Sequence, residues 1–159
     1  VKINQYASNA STPPRGLDYE VLLDRVTSPS AVTVLVVDDK EVQRALVKIY
    51  LEQLGVHVIQ ANNGETAVSV FQTNAVDLVL MDIQMPRMNG FEATKQIKAI
   101  SPTVPVIALS GESSQRDILK IKNLMNGRLE KPTTKQALAD VLQSHLLPSF
   151  YPATLAPRS

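Results

Sequence analysis

The sequence of 159 residues contains no cysteine, no tryptophan and only two histidines. Without cysteine, the chain has no disulfide bond and no thiolate metal site. His57 and His145 are too far apart in the sequence to indicate a histidine metal cluster. The sulfur- and histidine-based classes of metal site therefore have no support in the sequence.

Strong charge and long apolar runs are absent as well. The formal net charge is +1, whereas nucleic-acid-binding domains usually present a strongly basic face. No apolar stretch approaches the ~20 residues that a membrane span needs, and the first residues lack the basic-then-apolar pattern of a signal peptide. We therefore expect a cytoplasmic domain that contacts neither nucleic acid nor membrane, although a larger parent protein could be membrane-bound.

The ends of the chain differ in composition from its centre. Residues 1–30 are polar and interrupted by proline, which is typical of a linker or N-terminal extension, and residues 17–26 are predicted to form a short helix within it. Residues 148–159 contain three prolines and are expected to form a flexible C-terminal tail. The hydrophobic fraction of 44% is sufficient for a buried core, so we expect one globular domain over residues 31–147.

Within that domain the hydrophobic pattern alternates between strand and helix. The pattern predicts strands over residues 31–37, 56–61, 76–82, 104–110 and 127–131. Helical spacing predicts helices over residues 41–54, 65–72, 91–100 and 114–125, and a last helix that starts at Thr133. The almost continuous apolar runs of the first, third and fourth strands indicate central positions in a sheet. The alternation predicts an α/β fold, a doubly wound five-stranded parallel sheet with helices on both faces.

The apolar spacing also predicts which helix faces are buried and where helices begin or end. The expected buried side chains include Val42, Leu46, Ile49 and Leu54 in the first helix and Ile118, Leu119 and Ile121 in the fourth. Gly55 is expected to end the first helix. Ser113 or Ser114 is expected to cap the fourth helix, and Thr133 with Gln136 to form a capping box for the last.

Charged and hydroxyl side chains cluster at the predicted strand ends. In a parallel sheet these ends share one edge, and the residues there are Asp38, Asp39, Asp82, Ser110, Gly111 and Lys131. Three carboxylates at short range raise one another's pKa, and a hard divalent cation such as Mg²⁺ resolves this because it takes carboxylate and water oxygens. Lysine and serine suit phosphoryl oxygens, and an aspartate is a competent nucleophile toward phosphorus.

Each of these residues also has an ordinary structural interpretation. Asp38 and Asp39 could cap the first helix, since Asp38 and Glu41 have capping-box spacing. Asp82 alone is equally well explained as a turn residue, and Lys131 alone as a solvated surface lysine. The occurrence of all these residues at strand ends favours a functional site.

Four motifs carry a resemblance to a known family: VLVVDD (34–39), LVLMDIQMPRMNG (78–90), IALSG (107–111) and LEKP (129–132). Their order and spacing resemble those of the motifs in the receiver domain of two-component response regulators. The stretch MDIQMPRMNGFEAT (81–94) resembles the sequence of receivers that are fused to hybrid sensor histidine kinases. The resemblance implies the flavodoxin-like receiver fold with strand order 2-1-3-4-5. It also implies a phosphoacceptor in a histidine-to-aspartate phosphorelay, which catalyses its own phosphotransfer and slow dephosphorylation, in a parent protein that is a histidine kinase.

The resemblance assigns a role to each strand-end residue. It implies that Asp82 accepts the phosphoryl group from a phosphohistidine. The implied ligands of Mg²⁺ or Mn²⁺ are Asp38, Asp39, Asp82 and the backbone carbonyl of Gln84, with Asp39 the more direct ligand of the acidic pair. The groups implied to bind the phosphoryl oxygens are Ser110, the Gly111 backbone N–H and Lys131. The Lys131–Pro132 bond is implied to be cis.

The chain departs from the family pattern at Arg128, at Asn89, where an aspartate is common, and in a slightly short segment between Ser110 and the fifth strand. Three residues before its lysine, the family usually has an aromatic ring that moves between buried and exposed orientations on activation, and here Arg128 occupies this switch position. The family's coupling of the hydroxyl residue to a ring therefore lacks its ring in this chain. The implied partners are a histidine kinase domain, a histidine phosphotransfer protein or both. A weak homodimer is also compatible with the sequence.

Three other functions are compatible with parts of the sequence. A pseudo-receiver would use the same fold only to dock proteins, independently of phosphorylation. A stand-alone response regulator would contain the same site. A haloacid-dehalogenase-type phosphatase also uses an aspartate nucleophile on a parallel sheet, but Gln84 stands where that class has a second aspartate.

Overall fold

The computed structural model describes residues 32–146, in which five strands alternate with five helices. The elements are β1 (Thr33–Val37), α1 (Glu41–Gln53), β2 (His57–Ala61), α2 (Gly64–Thr73), β3 (Leu78–Asp82), α3 (Gly90–Ile100), β4 (Val106–Ser110), α4 (Gln115–Leu124), β5 (Gly127–Glu130) and α5 (Lys135–Leu146). The predicted helix over residues 17–26 and the predicted tail over residues 148–159 lie outside the described residues. Between residues 32 and 146, no helix is long and apolar enough to cross a membrane.

The strands form one parallel sheet in the order β2-β1-β3-β4-β5. Every residue of β1, β3 and β4 is buried, whereas the edge strands β2 and β5 are partly exposed. The predicted α/β fold, its strand order and the central positions of the first, third and fourth strands are therefore confirmed. The three central strands read as continuous apolar runs because helices cover both of their faces.

Alternation along the strands divides the core into two layers. On one face, residues such as Val36, Leu80 and Leu109 pack against α1 and α5. On the other face, residues such as Val37, Met81 and Ala108 pack against α2, α3 and α4. Each fully buried large aliphatic side chain stabilises the fold by about 1.5–3 kcal/mol relative to an exposed one. The two layers fix the height and direction of the three central strands, and with them the residues at the strand ends.

The predicted buried face of α1 is wrong at three of its four positions. Val42, Leu46 and Ile49 are 82%, 38% and 50% exposed, whereas the helix buries Val47 and Leu51, and Leu54 just after it is buried as predicted. The helix carries two apolar stripes, and a helix that lies on a sheet buries only the stripe that faces the sheet. The other stripe stays on the surface.

The fourth helix shows the same kind of difference. Ile121 is buried as predicted, but Ile118 and Leu119 are 42% and 59% exposed. This helix packs beside β5, which has only four residues and forms the edge of the sheet, so it covers the core with one narrow stripe.

The helix ends agree with the sequence except at α5. Gly55 follows α1 with a positive φ of 87°, a conformation that favours glycine. The Ser114 hydroxyl accepts a hydrogen bond from the Asp117 backbone N–H at 3.1 Å and caps α4. The capping box predicted from Thr133 is wrong, because α5 begins at Lys135 and the Thr134 hydroxyl accepts from the Ala137 N–H at 3.0 Å.

Gly90, the first residue of α3, packs directly on the end of β3. A Cβ atom at this position would lie 2.7 Å from the Ile83 Cα and would overlap the Asp82 carbonyl oxygen. The close approach needs a residue without a side chain. The turn between β3 and α3 is thereby held against the backbone of Asp82.

We expect Gly90→Ala to destabilise the fold by about 1–3 kcal/mol, because the added methyl group must displace backbone atoms. The matched control is Gly111→Ala, whose Cβ would meet no atom within 4 Å. That control should change the free energy of unfolding by less than about 0.5 kcal/mol. Urea denaturation of both variants measures the difference, and equal stabilities would contradict the packing role of Gly90.

Candidate functional site

The carboxyl ends of β1, β3, β4 and β5 bring the predicted site residues together, at the side of the sheet where the parallel strands end. Asp38 and Asp82 are 1% and 2% exposed, and Asp39 is half-buried. Each of these three acids offers a carboxylate oxygen, and the three oxygens lie within 4.8 Å of one another. The predicted acidic cluster therefore exists as a compact, largely buried group.

Lys131 links two of these acids. Its Nζ lies 3.2 Å from Asp82 Oδ1 and 3.3 Å from Asp38 Oδ2. Its backbone N–H donates to the Ser110 carbonyl at 2.8 Å, and its bond to Pro132 is cis, as the resemblance implies. The interpretation of Lys131 as a solvated surface lysine is wrong, because its side chain is only 18% exposed and is directed at the carboxylates.

The Asp82 carboxylate is oriented by its own turn. Its Oδ1 accepts a hydrogen bond from the Gln84 backbone N–H at 3.0 Å, whereas its Oδ2 is buried without a partner among residues 32–146. Burial raises the pKa of Asp82 to about 6; the Gln84 N–H and the charge of Lys131 oppose this rise, and the charge of Asp38 adds to it. Asp82 is thus a buried acid whose Oδ1 is held by neighbouring groups, whereas its Oδ2 has no hydrogen-bond partner among the described residues.

The acidic pair after β1 does not serve as a helix cap. Asp38 Oδ1 accepts from the Lys40 backbone N–H at 2.9 Å, and Lys40, the N-cap of α1, forms no side-chain capping bond. The predicted Asp38–Glu41 capping box is absent from the described hydrogen bonds of this turn. Instead, Arg44 donates from Nη1 to the Asp38 carbonyl at 2.8 Å, a contact that the sequence did not predict.

The donor set fits a hard divalent cation. Asp39 Oδ1 and Asp82 Oδ2 are buried and have no hydrogen-bond partner in the described part of the chain. Leaving buried acceptors unpaired is costly, and oxygen ligands at this spacing are those that Mg²⁺ takes. The Gln84 backbone lies beside the Asp82 carboxylate, but the role of its carbonyl stays a prediction.

Ser110 and Gly111 lie at the same edge but differ in their surroundings. Ser110 is 1% exposed, and its hydroxyl accepts a hydrogen bond from Arg128 Nη1 at 3.3 Å. Gly111 is exposed, with open space around its Cα. The structure therefore brings Ser110 to the site's edge with Arg128, and not Asp82, as its side-chain partner.

Thr133 belongs to the surroundings of the site, although the sequence suggested only a helix cap. Its hydroxyl is buried without a partner within residues 32–146, and it lines a small cavity with Asp38, Lys131, Pro132 and Leu46. Its position after the cis Lys131–Pro132 bond places it there, which no helix-capping pattern indicates.

The model of the response regulator receiver domain matches residues 34–143, which include all the strands except the first residue of β1. The chain belongs to this family. The predicted family and its signalling class, the two-component phosphorelay, are thereby confirmed. Receivers of this family characteristically use an aspartate as phosphoacceptor together with a divalent cation.

Two curated relatives of this receiver are sensor kinases. It is 64% identical over 114 residues to the autoinducer 1 sensor kinase/phosphatase LuxN of Vibrio campbellii, covering 72% of the chain and 13% of the relative. It is 36% identical over 109 residues to the CAI-1 autoinducer sensor kinase/phosphatase CqsS of Vibrio cholerae, covering 66% of the chain and 16% of the relative. The chain thus spans only a small part of these relatives.

Solved structures share the receiver fold. The receiver domain of the sensor histidine kinase PA1611 from Pseudomonas aeruginosa, which has a magnesium ion in its active site cleft, is 31% identical with a TM-score of 0.67, over 72% of this chain and 96% of that one. The chemotaxis protein CheY4 of Vibrio cholerae is 31% identical with a TM-score of 0.69, over 72% of this chain and 98% of that one.

The raised pKa of Asp82 makes stability depend on pH in a defined direction. The folded-state pKa of about 6 lies above the ordinary value of 3.8, so the fold favours protonated Asp82. This contribution is complete below pH 3.8 and is lost as the pH rises through 6, and its size is on the order of 3 kcal/mol.

We therefore expect Asp82→Asn, which stays neutral, to gain stability over the wild type as the pH rises from 4.5 to 7.5 in metal-free buffer, by roughly 2 kcal/mol. Urea denaturation of both proteins at both pH values measures this difference of differences. A gap between the two proteins that does not change with pH would show that Asp82 has an ordinary pKa.

Proposed function

We propose that this receiver is phosphorylated on Asp82 by a phosphohistidine donor and passes the phosphoryl group on within a phosphorelay. The observation that carries the proposal is the geometry at Asp82. The carboxylate is buried and oriented by the Gln84 N–H, lies 3.2 Å from Lys131 and has one oxygen without a partner. An aspartate that served only in a turn would need neither this burial nor the neighbouring ammonium group of Lys131.

The chemistry follows from the residues present. The ionised Asp82 carboxylate attacks phosphorus, a P–O bond forms, the P–N bond of the donor breaks, and its electron pair returns to the imidazole. Lys131, Ser110 and the Gly111 N–H would bind the phosphoryl oxygens. Asp38, Asp39, Asp82 and the Gln84 carbonyl would hold Mg²⁺ or Mn²⁺, which when bound neutralises charge on the carboxylates and the phosphoryl group. Slow self-catalysed dephosphorylation by water returns the site to its starting state.

We expect incubation with Mg²⁺ and acetyl phosphate to give a single phosphoryl adduct, because the site itself supplies the chemistry. Intact mass spectrometry detects the adduct, which should be absent with EDTA and in Asp82→Asn. The control is Asp140→Asn, an exposed acid of α5 that lies outside the acidic cluster. No adduct on wild-type protein with a native circular dichroism spectrum would support the pseudo-receiver instead.

The parent protein that we propose is a hybrid sensor histidine kinase, and its receiver would lie in the cytoplasm. Its similarity to sensor kinases LuxN and CqsS supports this context over a stand-alone regulator. In such a kinase, the phosphoryl group would come from the kinase domain and leave to a histidine phosphotransfer protein.

The docking face that we propose for the histidine phosphotransfer protein is the exposed apolar stripe of α1. Val42, Leu46 and Ile49 present apolar surface, and Leu46 lines a cavity together with Asp38 and Lys131, so the stripe is continuous with the site. A protein that brings an imidazole to Asp82 must cover the surface next to it. An apolar helix face that the fold leaves open suits such a contact.

We expect Val42→Asp to slow transfer between this receiver and a phosphorylated histidine phosphotransfer protein by about tenfold, because it places a charge in the apolar contact. Phosphorylation by acetyl phosphate should be unchanged, since Val42 is 82% exposed and does not touch the site. The matched control is Leu119→Asp, an equally apolar exposed residue on α4, across the sheet. Equal slowing by the two variants would place docking elsewhere, whereas slowing with acetyl phosphate would show that Val42→Asp perturbs the site itself.

A further inference from the structure

The Ser110 hydroxyl is bound by an arginine in this structure. Arg128 Nη1 lies 3.3 Å from Ser110 Oγ, and because a guanidinium only donates, the hydroxyl is the acceptor. Ser110 is almost completely buried, whereas Arg128 is exposed. Within residues 32–146, this is the one side-chain hydrogen bond of the Ser110 hydroxyl.

The Ser110 side chain and the Asp82 side chain lie on opposite faces of the sheet. Along β4, Val106 and Ala108 pack in the layer toward α2, α3 and α4, and Ser110 continues that series. Arg128 lies opposite Ala108 in the register of β4 and β5, on the same face. Asp82 continues the series of Leu78 and Leu80, which pack toward α1 and α5. The two side chains therefore leave the sheet on opposite faces.

We infer that Arg128 is a positioning residue that holds Ser110 in a resting orientation and releases it when Asp82 carries a phosphoryl group. This inference rests on the proposed function of Asp82. A buried hydroxyl needs a hydrogen-bond partner in both states. Arg128 supplies the partner before phosphorylation, and a phosphoryl oxygen supplies it afterwards. The exposed guanidinium returns to water at little cost, so the exchange is favourable only when the phosphoryl group is present.

Release also alters the surface of the molecule. Arg128 lines a groove of about 330 Å³ between α4 and β5, together with Ile121, Lys122 and Met125. A guanidinium that leaves Ser110 has this groove and the solvent as its surroundings. The orientation of Ser110 is thereby coupled to the position of a positive charge beside α4, through a hydrogen bond and not through the burial of a ring.

The first test uses the protein without metal or phosphoryl donor. Three-bond scalar couplings from NMR report the χ1 angle of Ser110, and we expect one rotamer in the wild type and averaged rotamers in Arg128→Ala. The control is Lys122→Ala, which removes a positive charge from the same groove but has no bond to Ser110 and should leave the rotamer unchanged. An unchanged single rotamer in Arg128→Ala would overturn the inference.

The second test measures binding of beryllofluoride, an analogue of the phosphoryl group, in the presence of Mg²⁺ by isothermal titration calorimetry. Arg128→Ala should bind it about three- to tenfold more tightly, because the competing hydrogen bond is gone. In a Ser110→Ala background, the same substitution should have no effect. Equal effects in both backgrounds, or weaker binding by Arg128→Ala, would overturn the inference. Wild-type protein that binds no beryllofluoride would instead contradict the proposed function, while the rotamer measurement still tests the Arg128–Ser110 bond.

Discussion

The contact of Lys131 with two buried carboxylates is the interaction on which the site depends. Asp38 and Asp82 are almost inaccessible to water, and burying a charge costs several kcal/mol unless another charge compensates it. Lys131 lies within 3.3 Å of both acids. Together with Asp39, three carboxylates lie close to this single ammonium group. Under the proposed function, a divalent cation bound to these acids would reduce their repulsion of an anionic phosphoryl donor.

The sheet makes this unfavourable cluster possible. Two apolar layers fix β1 and β3 in place. Asp38 comes directly after the last residue of β1, and Asp82 is the last residue of β3. Backbone contacts then restrict Asp82 further, since the Gln84 N–H binds its carboxylate and Gly90 packs against its carbonyl. A rigid frame of this kind keeps like charges together that would separate in a flexible loop. The stability lost at the site is offset by burial elsewhere in the core.

The sequence predicted the strand ends well because continuous apolar runs mark the central strands and their last polar residues. It was less informative about the helices. The first helix has two apolar stripes, and spacing alone does not decide that Leu51 faces the sheet while Val42 faces solvent. It also could not predict the bond from Arg128 to Ser110, because that contact depends on the register between β4 and the short strand β5. Contacts within one element leave a periodic signal, whereas contacts between side chains of two elements do not.

The position of the site at the ends of the strands would allow the proposed reaction at Asp82 to be detected at a distance. Asp38, Asp82 and Lys131 lie with the layer toward α1 and α5, while Ser110 and Arg128 lie with the layer toward α4. Inside the sheet, the strands separate these layers completely. Only at the ends of the strands can one small group reach both. Under the proposed function, a phosphoryl group on Asp82 would attract the hydroxyl from the other face, and the chemistry beside α1 would then become a rearrangement of side chains beside α4.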